Sequence, residues 1–379
     1  MARVFLEVLG VHPRRIGGVE TQIKMLTSRL AEQGWESVIC VSQEPSQEVR
    51  RFLDAPYLHW EVIPDIDTNR LAAMLAYAKL LLHYRPRWLF MQFTPCLSSY
   101  PWLARVLGVE KVLFADQLSR PEGYEPAPTT RWKRWVARSL TSSYSAVVAV
   151  SNYNQQALKK HGFVSPRRLH RIYNSVDMAR VGLGDGAVFR RQYGIPSERV
   201  LVVQTASLIP EKGVDDVLLG AKIALQVNTN LHFAFVGDGF RGSIEHYREV
   251  SRNLGIESHV TFTGLVKDPT ANGVYAAADI CSQMSRWQEA FGWVIAEAMA
   301  CSRPVIGTRV GAIPEIIDDS INGYLIPSGD SAAFAERVLQ LAGDPELRMR
   351  LGKAAYAKVE QQFNLQTSVH SLIKLFETA

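Results

Sequence analysis

The sequence predicts an α/β protein built on two doubly wound parallel sheets. Short apolar runs alternate with longer amphipathic segments along the whole chain, a pattern typical of parallel βαβ units. The alternation completes one series of strands and then begins again near the middle of the chain. A length of 379 residues also exceeds what one hydrophobic core supports, because single cores stop growing near about 250 residues. We therefore expect two domains.

The first half of the chain contains six strand candidates separated by helical segments. The predicted helices lie at 19–33, 70–83 and 152–161, among others. The predicted strands are the apolar runs RVFLEVLG, ESVICVS, RWLFMQF, KVLFADQ, AVVAVS and LHRIYN.

The second half repeats the pattern with six further strand candidates. Helices are predicted near 214–226, 241–254, 292–301 and 331–342. The predicted strands are RVLVVQTASL, HFAFVGDG, HVTFTGLV, DICSQMS, PVIGTRV and GYLIP.

A linker is expected between the two series. The segment 178–200 carries four glycines and one proline, which favour loops. We therefore predict domains at 1–180 and 181–379. The chain is helical from about 345, and the segment LQTSVHSLIKLF at its end is expected to pack back on the first domain.

Composition excludes several classes of protein. Apolar residues make up 47% and charged residues 21%, which is typical of a globular protein. The cysteines are scattered at Cys40, Cys96, Cys281 and Cys301, so neither a disulfide framework nor a CxxC site is predicted. No stretch approaches the roughly 18 apolar residues of a membrane span, and Glu7 interrupts the apolar opening where a signal peptide would be uninterrupted. We expect a cytoplasmic protein.

Charge differs between the halves. Residues 1–180 hold 24 Lys and Arg against 15 Asp and Glu, while residues 181–379 hold 18 against 22. A basic half suggests an anionic partner such as a lipid headgroup, nucleic acid or phosphorylated sugar; the alternative is ordinary surface variation. The segment RWKRWVARSL at 131–140 interleaves Trp132, Trp135 and Val136 with four basic residues. It has the pattern of a helix at a membrane interface, or of one that covers the first sheet.

The segment GDGFRG at 237–242 matches the glycine pattern of dinucleotide-binding sites. In a dehydrogenase the next strand would end in an acid that binds the ribose, but here it ends in Thr263 and Gly264. The motif also follows the second strand of its domain, not the first. We therefore expect Gly237 to allow close approach of the backbone to another ligand.

A second glycine pair, Gly17 and Gly18, follows the first strand and precedes a helix. Amide groups at a helix N-terminus bind phosphate or sugar oxygens, although the same pair would serve a simple tight turn. Arg14 and Arg15 add positive charge just before it.

Two acids, Glu289 and Glu297, frame the start of a predicted helix. On a continuous helix they would be about 12 Å apart and roughly 80° around the axis, so they cannot share one proton or one metal ion. The carboxyl pairs of glycosidases lie about 5 to 9.5 Å apart across one bond, which disfavours that class. The spacing suits an elongated ligand with hydroxyl groups at both ends and negative charge between them, such as a nucleotide sugar.

Each part of that ligand has a candidate partner. Glu289 can accept from sugar hydroxyls, and Glu297 from the two ribose hydroxyls. The amides of Ala290, Phe291, Gly292, Trp293 and Val294 would form a helix N-terminus that favours phosphate. A surface salt bridge is the alternative for Glu297, but its neighbours in WVIAEAMA are apolar.

Lys212 follows the first strand of the second domain, where a phosphate-binding lysine or an ordinary surface lysine would fit. The nine histidines show neither HxH nor HExxH spacing, so no metal site is predicted.

With these residues assembled, the chain resembles the retaining glycosyltransferases of family 4. The resemblance runs over nearly the whole chain and is most specific in its last two segments. It rests on GGVE at 17–20, AVSNYNQQALKKHG at 149–162, IYNSVD at 172–177, PEKGVDDVL at 210–218, FVGDGF at 235–240, VTFTG at 260–264, the two acids at 289 and 297, and PVIGTRVGAIPEIIDDSINGYLIP at 304–327.

The resemblance implies the GT-B fold, in which two Rossmann-like domains face a central cleft. It implies a nucleotide-diphosphate sugar on the second domain, an acceptor on the first, and neither a metal nor another cofactor. Glu289 matches the acid that contacts the sugar and Glu297 the one that binds the ribose. Phe291 and Gly292 match backbone donors near the sugar, Lys212 the diphosphate lysine, Gly18 the glycine near the β-phosphate, and Leu265 with Val266 the segment beside the base.

Three positions depart from the family pattern. Ser207 stands where the family usually has an arginine, five residues before the lysine. Asp116 and Gln117 stand where a histidine is common, and Ser302 where a glycine is expected.

We therefore expect a retaining hexosyltransferase that uses a UDP- or GDP-sugar and a hydroxyl acceptor, either a lipid, a glycan or a small molecule. Nucleic acid is not an expected partner, whereas the inner face of an anionic membrane is. The alternatives are a nucleotide-sugar-binding protein without transfer activity and an NAD-dependent dehydrogenase.

Overall fold

The computed structural model describes residues 3–68, 70–125, 127 and 129–379. The chain divides into two compact units. Unit 1 comprises Met1–Leu118, Glu125–Asn174 and Leu365–Ala379, and unit 2 comprises Ser119–Tyr124 and Ser175–Asn364. The main boundary thus lies at 174/175 instead of the predicted 180/181. The predicted linker at 178–200 lies wholly within unit 2 and contains a helix.

Unit 1 alternates strands and helices, as parallel βαβ units require. Its elements before the boundary are β1 (Arg3–Leu9), α1 (Gly18–Glu32), β2 (Trp35–Val41), α2 (Gln47–Phe52), β3 (Leu58–Val62), α3 (Leu71–Tyr84), β4 (Trp88–Gln92), α4 (Tyr100–Val106), β5 (Lys111–Asp116), α5 (Arg131–Leu140), β6 (Ala146–Ala149), α6 (Asn152–His161) and β7 (Leu169–Arg171).

In the described part of unit 1 these strands form one seven-stranded parallel sheet in the order β3-β2-β1-β4-β5-β6-β7. Six of the seven residues of β1 are buried, as expected for a strand covered on both faces. The order reverses between β1 and β4, and such a switch point is where ligands of doubly wound sheets bind.

Unit 2 repeats the plan with a smaller sheet. Its elements are α7 (Gly186–Gln192), β8 (Val200–Thr205), α8 (Val214–Val227), β9 (Leu231–Val236), α9 (Ser243–Asn253), β10 (Val260–Gly264), α10 (Val274–Ala277), β11 (Ile280–Gln283), α11 (Trp293–Ala300), β12 (Val305–Thr308), α12 (Ile313–Ile316), β13 (Gly323–Ile326), α13 (Ser331–Gly343) and α14 (Pro345–Gln362). Its described strands form a six-stranded parallel sheet in the order β10-β9-β8-β11-β12-β13, with the switch point between β8 and β11.

The chain ends with α15 (Leu365–Thr378), which belongs to unit 1. Its Phe376 ring stacks on Trp88 with a centroid distance of 4.9 Å and meets Phe5 edge-on at 5.8 Å. Aromatic packing of this kind attaches the last helix to the sheet of unit 1.

One strand of unit 1 was not predicted. β3 lies at the edge of the sheet and its side chains are only partly buried, so its segment LHWEV lacks a continuous apolar run. Within the described residues, no helix is both long enough and apolar enough to span a membrane.

Candidate active site

The switch point of unit 2 brings together Lys212 and Glu289, two candidate binding residues that were predicted from separate segments of the sequence. Lys212 ends a short 3-10 turn, Pro210–Lys212, that follows β8. Glu289 lies in the loop after β11, and these two strands are neighbours in the sheet. The carboxyl ends of neighbouring parallel strands share one edge, so their loops meet there.

Lys212 and Glu289 form an ion pair at this edge. The Lys212 ammonium donates to Glu289 Oε1 at 2.6 Å, and the Glu289 side chain is only 8% exposed. The hydroxyl of Ser285 also donates to Oε1, and that of Ser119 donates to Oε2 at 3.2 Å. Burial by itself would raise the pKa of Glu289, but the Lys212 charge and these hydrogen bonds overcome it and hold the pKa below its ordinary value. The carboxylate is therefore ionised at neutral pH.

A buried amide connects the two loops. Gln204, in β8, donates from its side chain to the Lys212 carbonyl at 3.0 Å and accepts from the Met284 amide at 3.3 Å. Gly213, directly after Lys212, lies so close to Met284 that a Cβ would fall 1.9 Å from the Met284 carbonyl oxygen. Its φ of +66° is also in the left-handed region that favours glycine. The position of Lys212 is thus set by packing against the loop that carries Glu289.

Ser119 comes from a short segment, Ser119–Tyr124, that belongs to unit 2 although it lies between two stretches of unit 1. Arg120 and Gln288 exchange two backbone hydrogen bonds, at 2.8 and 2.9 Å, which hold this segment beside Glu289. Ser119 was not predicted from the sequence. Ser285 was not predicted either, although its place four residues before Glu289 was a signal.

Glu297 lies in the second turn of α11, which begins after Gly292 with its φ of +126°. The buried Tyr275 hydroxyl donates to Glu297 Oε2 at 2.6 Å. Gly292, Trp293 and Val294 provide the first amides of this helix, which by position have no partner within it. The predicted helix N-terminus between the two acids is therefore present, preceded by the buried residues Ala290 and Phe291.

The other loops of unit 2 place the remaining candidates. Gly237 follows β9, and a Cβ there would lie 2.0 Å from the Ala206 carbonyl oxygen, so only glycine fits. Ser207 is exposed next to that contact. Leu265 and Val266 follow β10, with Val266 buried.

Ser207 lacks the positive charge of the arginine that the family pattern has at this position, and two arginines on neighbouring loops that could replace it, Arg286 and Arg309, are already paired. The Arg286 guanidinium forms a bidentate ion pair with Asp216 at 2.7 and 2.9 Å. Arg309 pairs with Asp319 at 2.5 Å. Ser302, the third departure from the family pattern, has φ +55°, which explains why glycine suits that position.

In unit 1 the glycine pair begins α1, as predicted. Gly18 is the first residue of the helix, and the Gly17 amide donates to the Glu20 carboxylate at 3.0 Å. Arg14 is exposed and Arg15 is half-buried in the loop before them.

Asp116 and Gln117, at the end of β5, are both buried. The Gln117 side chain exchanges hydrogen bonds with that of Asn174, at 2.7 and 3.1 Å, and donates to Gln92 at 2.8 Å. Gln92 in turn donates to the fully buried Glu7 in β1 at 2.6 Å. Burial raises the pKa of Glu7 to about 8, although the hydrogen bond from Gln92 lowers it. Glu7, Gln92, Gln117 and Asn174 therefore form a network of neutral amides around one acid that is mainly protonated at neutral pH.

Among the described residues, no group of three or more His, Cys, Asp or Glu side chains could hold a metal ion.

Two family models match the chain, one in each half. The model for Glycosyltransferase Family 4 matches residues 16–180, and the model for Glycosyl transferases group 1 matches residues 186–358. Together they cover nearly the whole chain. The chain belongs to glycosyltransferase family 4. The glycine pattern at 237–242 therefore lies in a glycosyltransferase and does not mark a dehydrogenase.

Similar proteins agree with this family. The chain is 34% identical to N-acetyl-alpha-D-glucosaminyl L-malate synthase of Bacillus anthracis over 55% of its own length and about half, 54%, of the synthase. A glycosyltransferase structure from Rickettsia africae aligns with a TM-score of 0.83 at 19% identity, covering 99% of this chain and 98% of that one. HepE of Anabaena, in complex with UDP and glucose, aligns with a TM-score of 0.79 at 18% identity over the full length of both chains. The predicted fold class, GT-B with two Rossmann-like parallel sheets, is confirmed.

Proposed function

We propose that this family 4 glycosyltransferase moves a hexose-type sugar from a UDP- or GDP-sugar to a hydroxyl acceptor, with retention of anomeric configuration. The observation that carries the proposal is the Lys212–Glu289 pair at the switch point of unit 2. Glu297 follows in the second turn of α11, the helix that begins just after Glu289. A cation and two acids in this order match diphosphate, sugar and ribose.

The charged parts of the donor have clear partners. Lys212 binds the diphosphate, and its ammonium has three donors, so it can contact a phosphate while keeping Glu289. The N-terminus of α11 favours the same negative charge. Glu297 accepts from the ribose hydroxyls. The Tyr275 hydroxyl orients the Glu297 carboxylate by donating to its Oε2.

Glu289 acts as a hydrogen-bond acceptor for the sugar. Its lowered pKa keeps it ionised, so it has no proton to donate at neutral pH and does not act as a general acid. Ser285 and Ser119 position the carboxylate.

In the proposed transfer, the bond between the anomeric carbon and the diphosphate breaks as the acceptor hydroxyl approaches on the same face. The diphosphate gains negative charge, which Lys212 and the α11 N-terminus stabilise. Its leaving oxygen takes the acceptor proton, so no side-chain base is required. Asp116 and Gln117 are proposed to shape the acceptor site of unit 1.

A donor panel tests the activity. Each UDP- and GDP-sugar is incubated with the protein, with and without membrane extract as a source of acceptor, and released nucleoside diphosphate is measured. UDP-glucose comes first because the HepE structure holds UDP and glucose. Binding without release from any donor would favour the rival, a nucleotide-sugar-binding protein without transfer activity.

Two variants test the site assignment. Glu297→Gln should weaken binding of free UDP or GDP by about 1–3 kcal/mol, as expected for one charged hydrogen-bonding group. Glu289→Gln should bind the nucleotide almost normally and lower turnover instead. Glu346→Gln, at an exposed glutamate in the first turn of α14, is the matched control. Equal nucleotide affinity of wild type and Glu297→Gln would reject the ribose assignment.

A further inference from the structure

Helix α5 of unit 1 exposes its large apolar side chains, unlike an ordinary surface helix. Such helices normally bury an apolar stripe and expose their polar residues. Of the residues in α5, only Ala137 is buried, while Trp132 is 65% exposed and Trp135 is 71% exposed.

Two arginines hold α5 in this orientation. Arg138 Nε donates to the carbonyl of Gly162 at 2.9 Å, and the Arg134 guanidinium donates to the Thr129 carbonyl at 3.0 Å and lies against Gly162. Gly162 is the C-cap of α6, where free carbonyls favour cations. Both arginines therefore bond to backbone carbonyls of unit 1, with Arg138 still exposed, while the tryptophans face outward.

The outward apolar surface extends beyond α5. Trp102 of the adjacent α4 is partly exposed and donates from its indole nitrogen to the Leu140 carbonyl at 2.9 Å. Val106 is exposed one turn later in α4. We call this surface the tryptophan face; its exposed members are Trp102, Val106, Trp132, Trp135, Val136 and Leu140.

Positive charge borders the tryptophan face. At 100° per residue, Arg131 and Lys133 lie on either side of Trp132 around the helix, and both are exposed. The Lys133 ammonium is 5.6 Å from the centre of the Trp132 ring. α5 contains four basic residues and no acidic one, in a half of the chain that carries a net excess of nine basic residues.

We infer that the tryptophan face docks reversibly on the surface of an anionic lipid bilayer. Indole rings favour the headgroup region, and flanking lysines and arginines bind anionic lipids. A second copy of the chain is a poorer partner. Pairing two such faces would bring together two helices that each carry four basic residues and no acidic one, and these would repel each other. The inference concerns a surface outside the donor site and does not rest on the proposed function.

Vesicle sedimentation with the full chain tests the inference. The vesicles are phosphatidylcholine alone, or phosphatidylcholine with about one third phosphatidylglycerol. We expect sedimentation with the anionic vesicles at low salt, a blue shift of tryptophan emission, and release as salt rises, because exposed charges are screened within about 8 to 10 Å.

Paired variants separate the tryptophans and the charges from general surface effects. Trp132→Ser/Trp135→Ser and Arg131→Gln/Lys133→Gln should each lower vesicle affinity at least ~10-fold. The controls lie in unit 2: Val227→Ser/Met349→Ser, at residues 75% and 70% exposed, and Arg350→Gln/Lys353→Gln. Thermal unfolding checks that each variant is folded.

Several results would overturn the inference. They are no sedimentation of wild type with anionic vesicles at low salt, equal affinity for neutral vesicles, or equal losses in the test and control variants. Self-association that disappears in Trp132→Ser/Trp135→Ser, without vesicle binding, would assign the face to a second copy instead.

Discussion

Each unit places a buried glutamate near the switch point of its sheet, but at neutral pH one glutamate is mainly neutral and the other is ionised. Glu7 lies in β1 of unit 1, next to the switch point, and is fully buried. Glu289 lies in the loop at the switch point of unit 2 and is almost as buried. Burial raises the pKa of Glu7 to about 8, whereas the pKa of Glu289 remains below its ordinary value.

The difference comes from the neighbour that each carboxyl meets. Glu7 receives a hydrogen bond from the neutral Gln92 amide, and its Oε2 has no hydrogen-bond partner among the described residues. Glu289 receives an ammonium and two hydroxyls. Of these two buried acids, the one beside a cation and two hydroxyl donors is ionised, and the one beside a neutral amide keeps its proton at neutral pH. The buried pair at the switch point of unit 2 is therefore charged, which suits a diphosphate, whereas the buried Glu7–Gln92 pair of unit 1 is neutral.

The largest expected effect is that of removing the cation from unit 2. Lys212→Met should lower turnover by about 10²–10³-fold, because the departing diphosphate loses its charge partner. It should also lower the free energy of unfolding by roughly 1–3 kcal/mol, because Glu289 is left buried without compensation.

The pH dependence of stability sharpens this test. In wild type, the lowered pKa means that the Glu289 contribution is present above the ordinary value of 4.5 and is lost as pH falls through the folded value. In Lys212→Met the pKa should rise, so stability should fall as pH rises. Lys212→Met/Glu289→Gln should recover stability without turnover, and Lys353→Met serves as an exposed control. An unchanged pH profile in Lys212→Met would contradict the comparison.

The next effect tests whether unit 1 also supplies a cation. Ser207 leaves the proposed donor site without the arginine of the family pattern, and Arg286 and Arg309 are already paired. We expect alanine at Arg14 or Arg15 to lower turnover at least ~10²-fold, and Ser207→Arg to recover part of that loss. Normal turnover of both alanine variants would mean that Lys212 and the α11 N-terminus carry the charge alone.

The third effect concerns the neutral Glu7–Gln92 pair of unit 1. Because the pKa of Glu7 is raised to about 8, the folded state keeps a proton that the unfolded state loses above about pH 4.5. Stability should therefore fall by up to about 1.4 kcal/mol per pH unit between these values. Glu7→Gln should remove this slope. The slope of stability against pH is measured by hydrogen exchange of the β1 amides, corrected for the intrinsic pH dependence of exchange. Glu36→Gln, at an exposed glutamate in β2, is the control. Equal slopes in wild type and Glu7→Gln would show that Glu7 does not hold the proton.

The smallest effect tests the hydrogen bonds of Glu289. Ser119→Ala removes one of its donors, so the pKa of Glu289 should rise and stability should fall by about 0.5–1.5 kcal/mol. Turnover should fall by no more than tenfold, because a tenfold change corresponds to a free energy similar to this loss of stability. Ser258→Ala, at an exposed serine of unit 2, is the control. A loss as large as that of Lys212→Met would mean that Ser119 contacts the donor itself.

Much of the architecture was predictable because hydrophobic periodicity is local. All six strands of unit 2 and six of the seven described strands of unit 1 coincide with the predicted runs, and β3 was missed because an edge strand need not be apolar. The assignment of Ser119–Tyr124 to unit 2 was not predictable, since its contacts are to residues about 170 positions away.

The sequence by itself determined the two doubly wound sheets, the family, and Lys212, Glu289 and Glu297 as candidates, because these depend on residue types at short spacing. Only the tertiary structure decided that Lys212 pairs with Glu289 across 77 residues, that burial raises the pKa of Glu7 to about 8, and that α5 turns its tryptophans outward. The physical reason is common to all three. Protonation and exposure depend on the solvent and charges around a side chain, and those are supplied by residues that are distant along the chain and adjacent only after folding.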